Sequence, residues 1–221
     1  MTQLPSPLGI YGILDTGTLA PDRLPAAAAA MAAAGVKVFQ VRGKDLPGGA
    51  LAHLVRAVQA VLPTDTVLLV NDRADVARVT GADGVHVGDE DLAVADARRV
   101  LEDGGRGPRV TGFSTHSPEQ AARAAGDGPD YIGVGPIFAS RTKVTGRAAL
   151  GLDGLRAACA ATRLPVVAIG GITLADVAAV RAAGASGIAL IADLLVDGEV
   201  EARARQAVRS FADTPPAGQG G

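Results

Sequence analysis

Residues 166–191 read VVAIGGITLADVAAVRAAGASGIALI, and this stretch contains the unit from which the fold of the whole chain is predicted. Val166–Ile169 is a short aliphatic run without alternation, which is typical of a buried parallel strand. Residues 174–183 have the spacing of an amphipathic helix, and Gly184 is in position to end it. A second aliphatic run, Gly187–Ile191, follows. The stretch therefore predicts a strand–helix–strand unit.

The same unit recurs along the chain. The other strand-like runs are Gly9–Leu14, Val36–Val41, Thr66–Val70, Gly84–Val87, Arg109–Phe113 and Tyr131–Val134. The other helical stretches lie near 22–34, 48–61, 73–80, 93–102, 118–125, 152–162 and 199–212, and Gly35, Gly81 and Gly126 are predicted to end three of them. Eight strand–helix units predict a closed (β/α)8 TIM barrel.

An open, doubly wound sheet is the main alternative to the barrel. No Gly-x-Gly-x-x-Gly follows the first strand-like run, which disfavours a dinucleotide-binding sheet. No linker or shift in composition divides the chain, so we expect one catalytic domain at residues 9–212. Residues 1–8 are predicted to be an N-terminal tail, and residues 213–221, rich in Pro and Gly, a disordered C-terminal tail.

Composition excludes several classes of partner. The net charge of −2 and an aromatic content of 3% disfavour a nucleic-acid-binding surface, which needs excess positive charge or stacking side chains. No apolar run is long enough to span a bilayer, and residues 1–8 do not resemble a signal peptide. Cys159 is the lone cysteine, which fits a reducing compartment. We therefore expect a cytoplasmic protein that acts on small molecules.

Polar residues cluster where the predicted strands end, and in a (β/α)8 barrel those ends surround the active site. Gln40, Arg42 and Lys44 alternate along the end of the second strand and therefore face one side. Arg42 offers a bidentate hydrogen-bond donor and Lys44 a point charge, a combination suited to binding phosphate or pyrophosphate. A solvated strand end without function is the alternative.

Two carboxylates, Asp72 and Asp91, follow the third and fourth strands. Magnesium takes one or two protein carboxylates and completes its shell with water and substrate phosphate, so this pair predicts a Mg²⁺ site. The alternative role for each is to cap the helix that follows it. A zinc site is disfavoured, because the sequence lacks the usual His and Cys spacing.

Two further segments have the chemistry of an anion site. The long segment 135–146 contains Ser140, Thr142 and Lys143, and Gly residues at both of its ends would allow it to close over a ligand. Gly170 and Gly171 follow the seventh strand, where glycines let the backbone approach a phosphate. Only three of the 21 basic residues are Lys, and Lys44 and Lys143 both fall in loops that follow predicted strands.

Seven motifs occur in order along the chain: Gln40-x-Arg42-x-Lys44, Asn71-Asp72-Arg73, Gly84-Val-His-x-Gly88-x-Glu-Asp91, Gly112-x-Ser114-x-His116, Asp130-Tyr-Ile-Gly-Val-Gly-Pro-Ile-Phe138, Thr142-Lys143 and Ala168-Ile-Gly-Gly-Ile172. In these motifs the sequence resembles the thiamine phosphate synthase family over about residues 10–195. Three positions differ from the usual pattern of the family: Asp89 replaces a Gln, Ala192 replaces a small hydroxyl residue, and Gly43 replaces an acidic residue.

The resemblance implies a (β/α)8 transferase that joins a pyrimidine diphosphate to a thiazole phosphate, with Mg²⁺ as cofactor. It assigns the pyrophosphate to Arg42, Lys44, Asn71 and Lys143, and Mg²⁺ to Asp72 and Asp91. It assigns the aminopyrimidine to Gln40 and Ser114. It assigns the thiazole phosphate to Ser140, Thr142, Gly171, Ile191 and Ala192. Arg42, Lys44, Ser114 and Lys143 are the expected catalytic residues.

Two other functions remain open at the level of sequence. A thiazole tautomerase on the same barrel needs no metal, and His116 would be its proton shuttle. A noncatalytic barrel that binds a phosphate ligand would not need the paired Asp72 and Asp91. A hydrolase built on Ser114 and His116 is disfavoured, because the two share one strand exit without an evident triad. The family association also suggests a homo-oligomer.

Overall fold

The structure is a computed structural model that describes residues 3–102, 109–139, 148–196 and 198–216. Eight parallel strands pair in chain order, and β8 pairs with β1 to close the barrel. The strands are β1 (Gly9–Asp15), β2 (Val38–Arg42), β3 (Val67–Asn71), β4 (Gly84–Val87), β5 (Val110–Thr115), β6 (Tyr131–Val134), β7 (Val166–Ala168) and β8 (Gly187–Leu190). The predicted (β/α)8 barrel is therefore confirmed.

A helix follows each strand. The helices are α1 (Leu24–Ala33), α2 (Gly48–Gln59), α3 (Ala74–Thr80), α4 (Val94–Glu102), α5 (Pro118–Ala124), α6 (Gly151–Ala161), α7 (Val177–Ala182) and α8 (Val200–Ala212). Short 3₁₀ turns at Pro21–Arg23 and Leu174–Asp176 precede α1 and α7, and a third at Ala125–Asp127 extends α5. No helix in the described ranges is long and apolar enough to cross a membrane.

The hydrophobic core has two layers. The larger one lies between strands and helices, where Phe39, Val41 and Val85 pack against the inner faces of the helices. The smaller one fills the barrel, and Tyr11 and Tyr131 are its largest members. Because side chains alternate along a strand, most strands contribute apolar side chains to both layers, which explains the continuous apolar runs of the sequence.

The structure corrects two details of the sequence interpretation. Gly126 does not end α5, because the 3₁₀ turn continues the helix and Gly128, with φ 73°, ends it in the left-handed conformation. Lys37 precedes β2 and does not lie within it. Its ammonium contacts Asp65 at 2.6 Å on the surface at the amino end of the barrel. The domain bounds stay a prediction, and residues 1–2 and 217–221 of the predicted tails lie outside the described residues.

Candidate active site

The last residues of the eight strands and the loops that follow them form one end of the molecule, which we call the barrel mouth. The fold places these predicted site residues there: Gln40, Arg42, Lys44, Asn71, Asp72, Asp91, Ser114, Gly171, Ile191 and Ala192. Side chains alternate along a strand, and Val38, Leu69 and Val110 point into the barrel. Gln40, Asn71 and Ser114 lie two or four residues further along the same strands and therefore also point inward. Ser140, Thr142 and Lys143 lie outside the described residues.

Arg42 is held in place by a carboxylate that the sequence interpretation missed. Asp15 ends β1 beside Arg42 on β2, and its two oxygens lie 3.2 and 3.1 Å from Arg42 Nη1. The Asp15 side chain is almost fully buried and also accepts the Gly17 N–H. The contact fixes the orientation of a partly buried guanidinium at the barrel mouth. A guanidinium with a fixed orientation is suited to binding an anion there. Alternation from Tyr11 and Ile13 places Asp15 on the inner face of β1, so the signal was present in the sequence.

Asp72 and Asp91 lie next to each other, as the sequence predicts. Burial, followed by the neighbouring Asp91 carboxylate, raises the pKa of Asp72, and Lys44 opposes this effect. Lys44 Nζ lies 3.4 Å from Asp72 Oδ2. Asp91 Oδ2 accepts the Gly88 N–H at 2.9 Å. A carboxylate whose ionisation is disfavoured by burial and by a neighbouring carboxylate favours a bound cation, so this pair fits Mg²⁺.

The capping role considered for Asp72 is wrong. Arg73 is the N-cap of α3, and no side-chain hydrogen bond caps that helix. Asp72 has a φ of 62°, a left-handed conformation that is uncommon for residues other than Gly. Such strain persists only where the surroundings impose it, and it is concentrated at functional sites. Among the described residues there is no group of three or more acidic, His or Cys side chains suited to a metal, so the candidate site rests on two carboxylates.

Five polar side chains form a continuous chain of hydrogen bonds across the barrel interior below the mouth. In order they are Gln40, Tyr11, Tyr131, His86 and Ser114, with distances of 2.8, 2.9, 2.8 and 2.9 Å between successive partners. We call this set the interior chain. Burial lowers the pKa of His86 to about 4, so its ring is neutral at pH 7. The sequence interpretation gave roles to Gln40 and Ser114 and missed the three aromatic residues that connect them.

The glycines after β7 have a structural role in addition to the predicted one. Both have left-handed backbones, with φ 94° at Gly170 and 67° at Gly171. A Cβ on Gly171 would lie 2.5 Å from the Phe138 carbonyl oxygen. The Phe138 N–H donates to the Gly170 carbonyl, so the segments after β6 and β7 continue the parallel pairing of their strands. These glycines are thus required by the close approach of two loops, whether or not an anion binds beside them.

We expect Gly171→Ala to lower the free energy of unfolding by at least about 2 kcal/mol, because the new Cβ meets the Phe138 carbonyl and the backbone stays left-handed. Gly49→Ala is the matched control: Gly49 lies in α2 with open space around it. The free energy of unfolding of Gly49→Ala should rise by up to about 1 kcal/mol. Urea unfolding measures both, and equal stabilities for the two variants would contradict the close approach.

Two other features frame the barrel mouth. Ile191 is partly buried after β8 and its carbonyl accepts the Leu194 and Leu195 N–H groups, whereas Ala192 is exposed. His116 Nδ1 lies 2.7 Å from the Gly135 carbonyl oxygen, so the ring N–H donates there and fixes the tautomer. Its other nitrogen lies 4.0 Å from Asp89 Oδ1. Asp89 thus faces His116, an arrangement that the sequence did not predict.

Comparison with known proteins gives a consistent result. Residues 10–194 match the model of a family described as thiamine monophosphate synthase. The chain is 45% identical over 178 residues to a thiamine-phosphate synthase of Anaeromyxobacter dehalogenans, covering 80% of this chain and 78% of that protein. It is 41% identical over 193 residues to one of Koribacter versatilis, covering 85% and 89% of the two chains.

A solved structure agrees with this result. Thiamine phosphate pyrophosphorylase from Pyrococcus furiosus superposes with a TM-score of 0.76 at 29% identity, covering 95% of this chain and 98% of that one. The family model spans nearly the whole barrel, including both carboxylates and the ends of β2 and β5. The chain therefore belongs to the thiamine monophosphate synthase family.

Proposed function

We propose that this protein couples hydroxymethylpyrimidine diphosphate to thiazole ethyl phosphate in a Mg²⁺-dependent reaction that yields thiamine phosphate and pyrophosphate. The observation that carries the proposal is the pairing of Asp72 with Asp91 beside Lys44, at the same mouth as Arg42. Cations and a carboxylate pair together suit a polyanionic leaving group with a bound divalent ion.

The bond to break joins the pyrimidine methylene carbon to a pyrophosphate oxygen. Its electron pair leaves with the pyrophosphate, and the electron-rich aminopyrimidine delocalises the positive charge that remains. Arg42, held by Asp15, and Lys44 stabilise the departing charge, and the family resemblance adds Asn71 and Lys143 to this role. Fixed cations are effective here because they need no reorganisation as the charge develops.

Asp72 and Asp91 would hold the metal ion. The chemistry that Mg²⁺ supplies there, when bound, is neutralisation of the negative charge that develops on the leaving pyrophosphate. Gly88 keeps the Asp91 carboxylate in place through its N–H, and Lys44 screens Asp72 from one side. This support leaves the pair ready for a cation without a third protein ligand.

The new bond forms between the methylene carbon and the thiazole nitrogen, whose lone pair supplies both electrons. That nitrogen carries no proton, so no general base is required. Ser140, Thr142, Gly171, Ile191 and Ala192 would receive the thiazole phosphate, as the resemblance implies. Gln40 and Ser114, the two ends of the interior chain, would bind the aminopyrimidine.

The two alternatives fit the structure less well. A tautomerase would use His116, but nothing in that reaction requires the carboxylate pair of Asp72 and Asp91. A noncatalytic barrel would not need the pair either. A cytoplasmic location, a homo-oligomeric state and the lack of nucleic-acid partners stay predictions from the sequence.

We expect stoichiometric release of pyrophosphate when the protein, Mg²⁺, the pyrimidine diphosphate and the thiazole phosphate are combined. Excess EDTA should reduce the rate to near background, because the departing charge then lacks its counterion. Added Mg²⁺ should restore the rate. A coupled pyrophosphate assay measures both. Full activity in EDTA would contradict the metal assignment. Isomerisation of the thiazole without a coupled product would instead identify a tautomerase.

A further inference from the structure

The interior chain links two residues that lie on different sides of the barrel interior. Gln40 lies on β2 and Ser114 on β5, and the connection between them runs through Tyr11 on β1, Tyr131 on β6 and His86 on β4. Gln40, Tyr11 and Tyr131 are at most 4% exposed. Buried polar networks are costly unless every member is paired, so a complete one that crosses a barrel interior calls for a functional reason.

Small residues make room for the middle of the chain. A Cβ on Gly112 of β5 would lie 2.2 Å from Tyr131 Cζ and 2.4 Å from His86 Nδ1. A Cβ on Gly133 of β6 would lie 3.3 Å from His86 Cε1. The contact between the tyrosine hydroxyl and the imidazole is therefore built into the packing of two neighbouring strands.

The direction of the hydrogen bonds follows from counting donors. The Gln40 amide donates to the Tyr11 oxygen. Among the described residues, the only other hydrogen-bond partner of this oxygen is Tyr131, so the Tyr11 O–H donates to Tyr131. Tyr131 then donates to Nδ1 of a neutral His86. His86 Nε2–H is left to donate to Ser114 Oγ, and the Ser114 proton is free to point to a ligand.

The two ends of the chain are thereby coupled. With its amide nitrogen on Tyr11, Gln40 presents its carbonyl oxygen as an acceptor, and Ser114 presents a donor. Rotating the Gln40 amide by half a turn would reverse every bond in the chain, and Ser114 would become an acceptor. If some of the hydrogen bonds ran in one direction and the rest in the other, a buried donor or acceptor would have no partner, which costs about 1–3 kcal/mol.

We propose that the interior chain sets the hydrogen-bond polarity of Gln40 and Ser114 together, which makes Tyr11, Tyr131 and His86 positioning residues for the pyrimidine substrate. An aminopyrimidine edge offers an amino donor next to a ring-nitrogen acceptor. That pattern complements an acceptor at Gln40 and a donor at Ser114. The inference rests on the proposed function, because it takes the aminopyrimidine to be the ligand of these two residues.

The test replaces one hydroxyl in the middle of the chain. Tyr131→Phe keeps the ring but leaves His86 Nδ1 without its donor. We expect KM for the pyrimidine diphosphate to rise about tenfold, as the loss of one buried hydrogen bond implies, and KM for the thiazole phosphate to stay unchanged. Thr111→Val is the matched control, because Thr111 on β5 has a fully buried hydroxyl with no hydrogen-bond partner in the part of the chain that the structure describes.

A pyrimidine diphosphate analogue without the amino group separates positioning from general damage. The wild-type protein should prefer the amino substrate strongly, and Tyr131→Phe should reduce that preference about tenfold while Thr111→Val leaves it unchanged. A structural defect would lower kcat or stability without changing this ratio. If Tyr131→Phe does not fold, Tyr11→Phe breaks the chain at its neighbouring link and serves as the second variant.

The outcomes separate the two levels of inference. A folded Tyr131→Phe protein with the KM values and amino preference of Thr111→Val would overturn the positioning role and leave the proposed function intact. Calorimetric titration with the pyrimidine diphosphate and Mg²⁺ provides a readout besides turnover. If the wild-type protein neither binds this compound nor releases pyrophosphate, both the proposed function and the positioning role are wrong.

Discussion

Asp91→Asn is expected to lower the rate of pyrophosphate release by about 10²–10³-fold at saturating substrates. The substitution removes one of two carboxylates that face each other at the barrel mouth, and with it much of the affinity for Mg²⁺. Stability should not fall, because the Asp91 charge raises the pKa of Asp72 and so disfavours its ionisation. An amide oxygen at position 91 can still accept the Gly88 N–H.

Glu90→Gln is the control for this variant, since it removes the same charge from an exposed neighbour. Its rate should match that of the wild-type protein. A Mg²⁺ titration of the rate in all three proteins checks the assignment, with urea unfolding in parallel. Equal Mg²⁺ requirements for Asp91→Asn and Glu90→Gln would show that Asp91 is not a metal ligand.

Arg42→Met is expected to lower kcat/KM for the pyrimidine diphosphate by about 10²–10³-fold, through loss of a fixed cation beside the leaving group. It should also cost about 3 kcal/mol of stability, because the almost fully buried Asp15 carboxylate loses the guanidinium that faces it. The variant thus combines a loss of activity with a loss of stability, and these two effects must be separated.

The double variant Asp15→Asn/Arg42→Met separates them. Without the buried charge at position 15 the stability should largely return, whereas the activity should stay low because the cation is still absent. Arg156→Met is the control for removing an arginine from an ion pair, since Arg156 pairs with Asp153 on the exposed face of α6. Recovery of activity in the double variant would mean that Arg42 acts only through the fold.

Much of the barrel could be predicted because its signals are local. Val166–Ile169 predicts β7 to within one residue at its carboxyl end, and Tyr131–Val134 matches β6 at both ends. Gly81 ends α3 in the left-handed conformation, as predicted. Gly126 was assigned the same role incorrectly, because a 3₁₀ turn adds three residues before Gly128. Such a turn depends on packing, and its sequence has no distinct signal.

The candidate site was predicted less completely than the fold. Strand order brings Asp72 and Asp91 together from adjacent strands, so their pairing could be anticipated. The contact of Asp15 with Arg42 also joins adjacent strands, but the interpretation passed over Asp15 because the first strand seemed to end one residue earlier. The loop approach that requires Gly171 depends on how two segments pack and could not be seen in either segment alone.

The sequence by itself determined the eightfold alternation of strands and helices and the polar character of the barrel mouth. These properties follow from side-chain periodicity and turn chemistry over a few residues. Only the tertiary structure decided which side chains touch across the barrel: Gln40 and Tyr11 are 29 residues apart, and Tyr11 and Tyr131 are 120 apart. Gln40 and Tyr11 meet because β2 pairs with β1, whereas Tyr11 and Tyr131 meet only when β8 closes on β1, since the radius and register of the closed sheet set their distance.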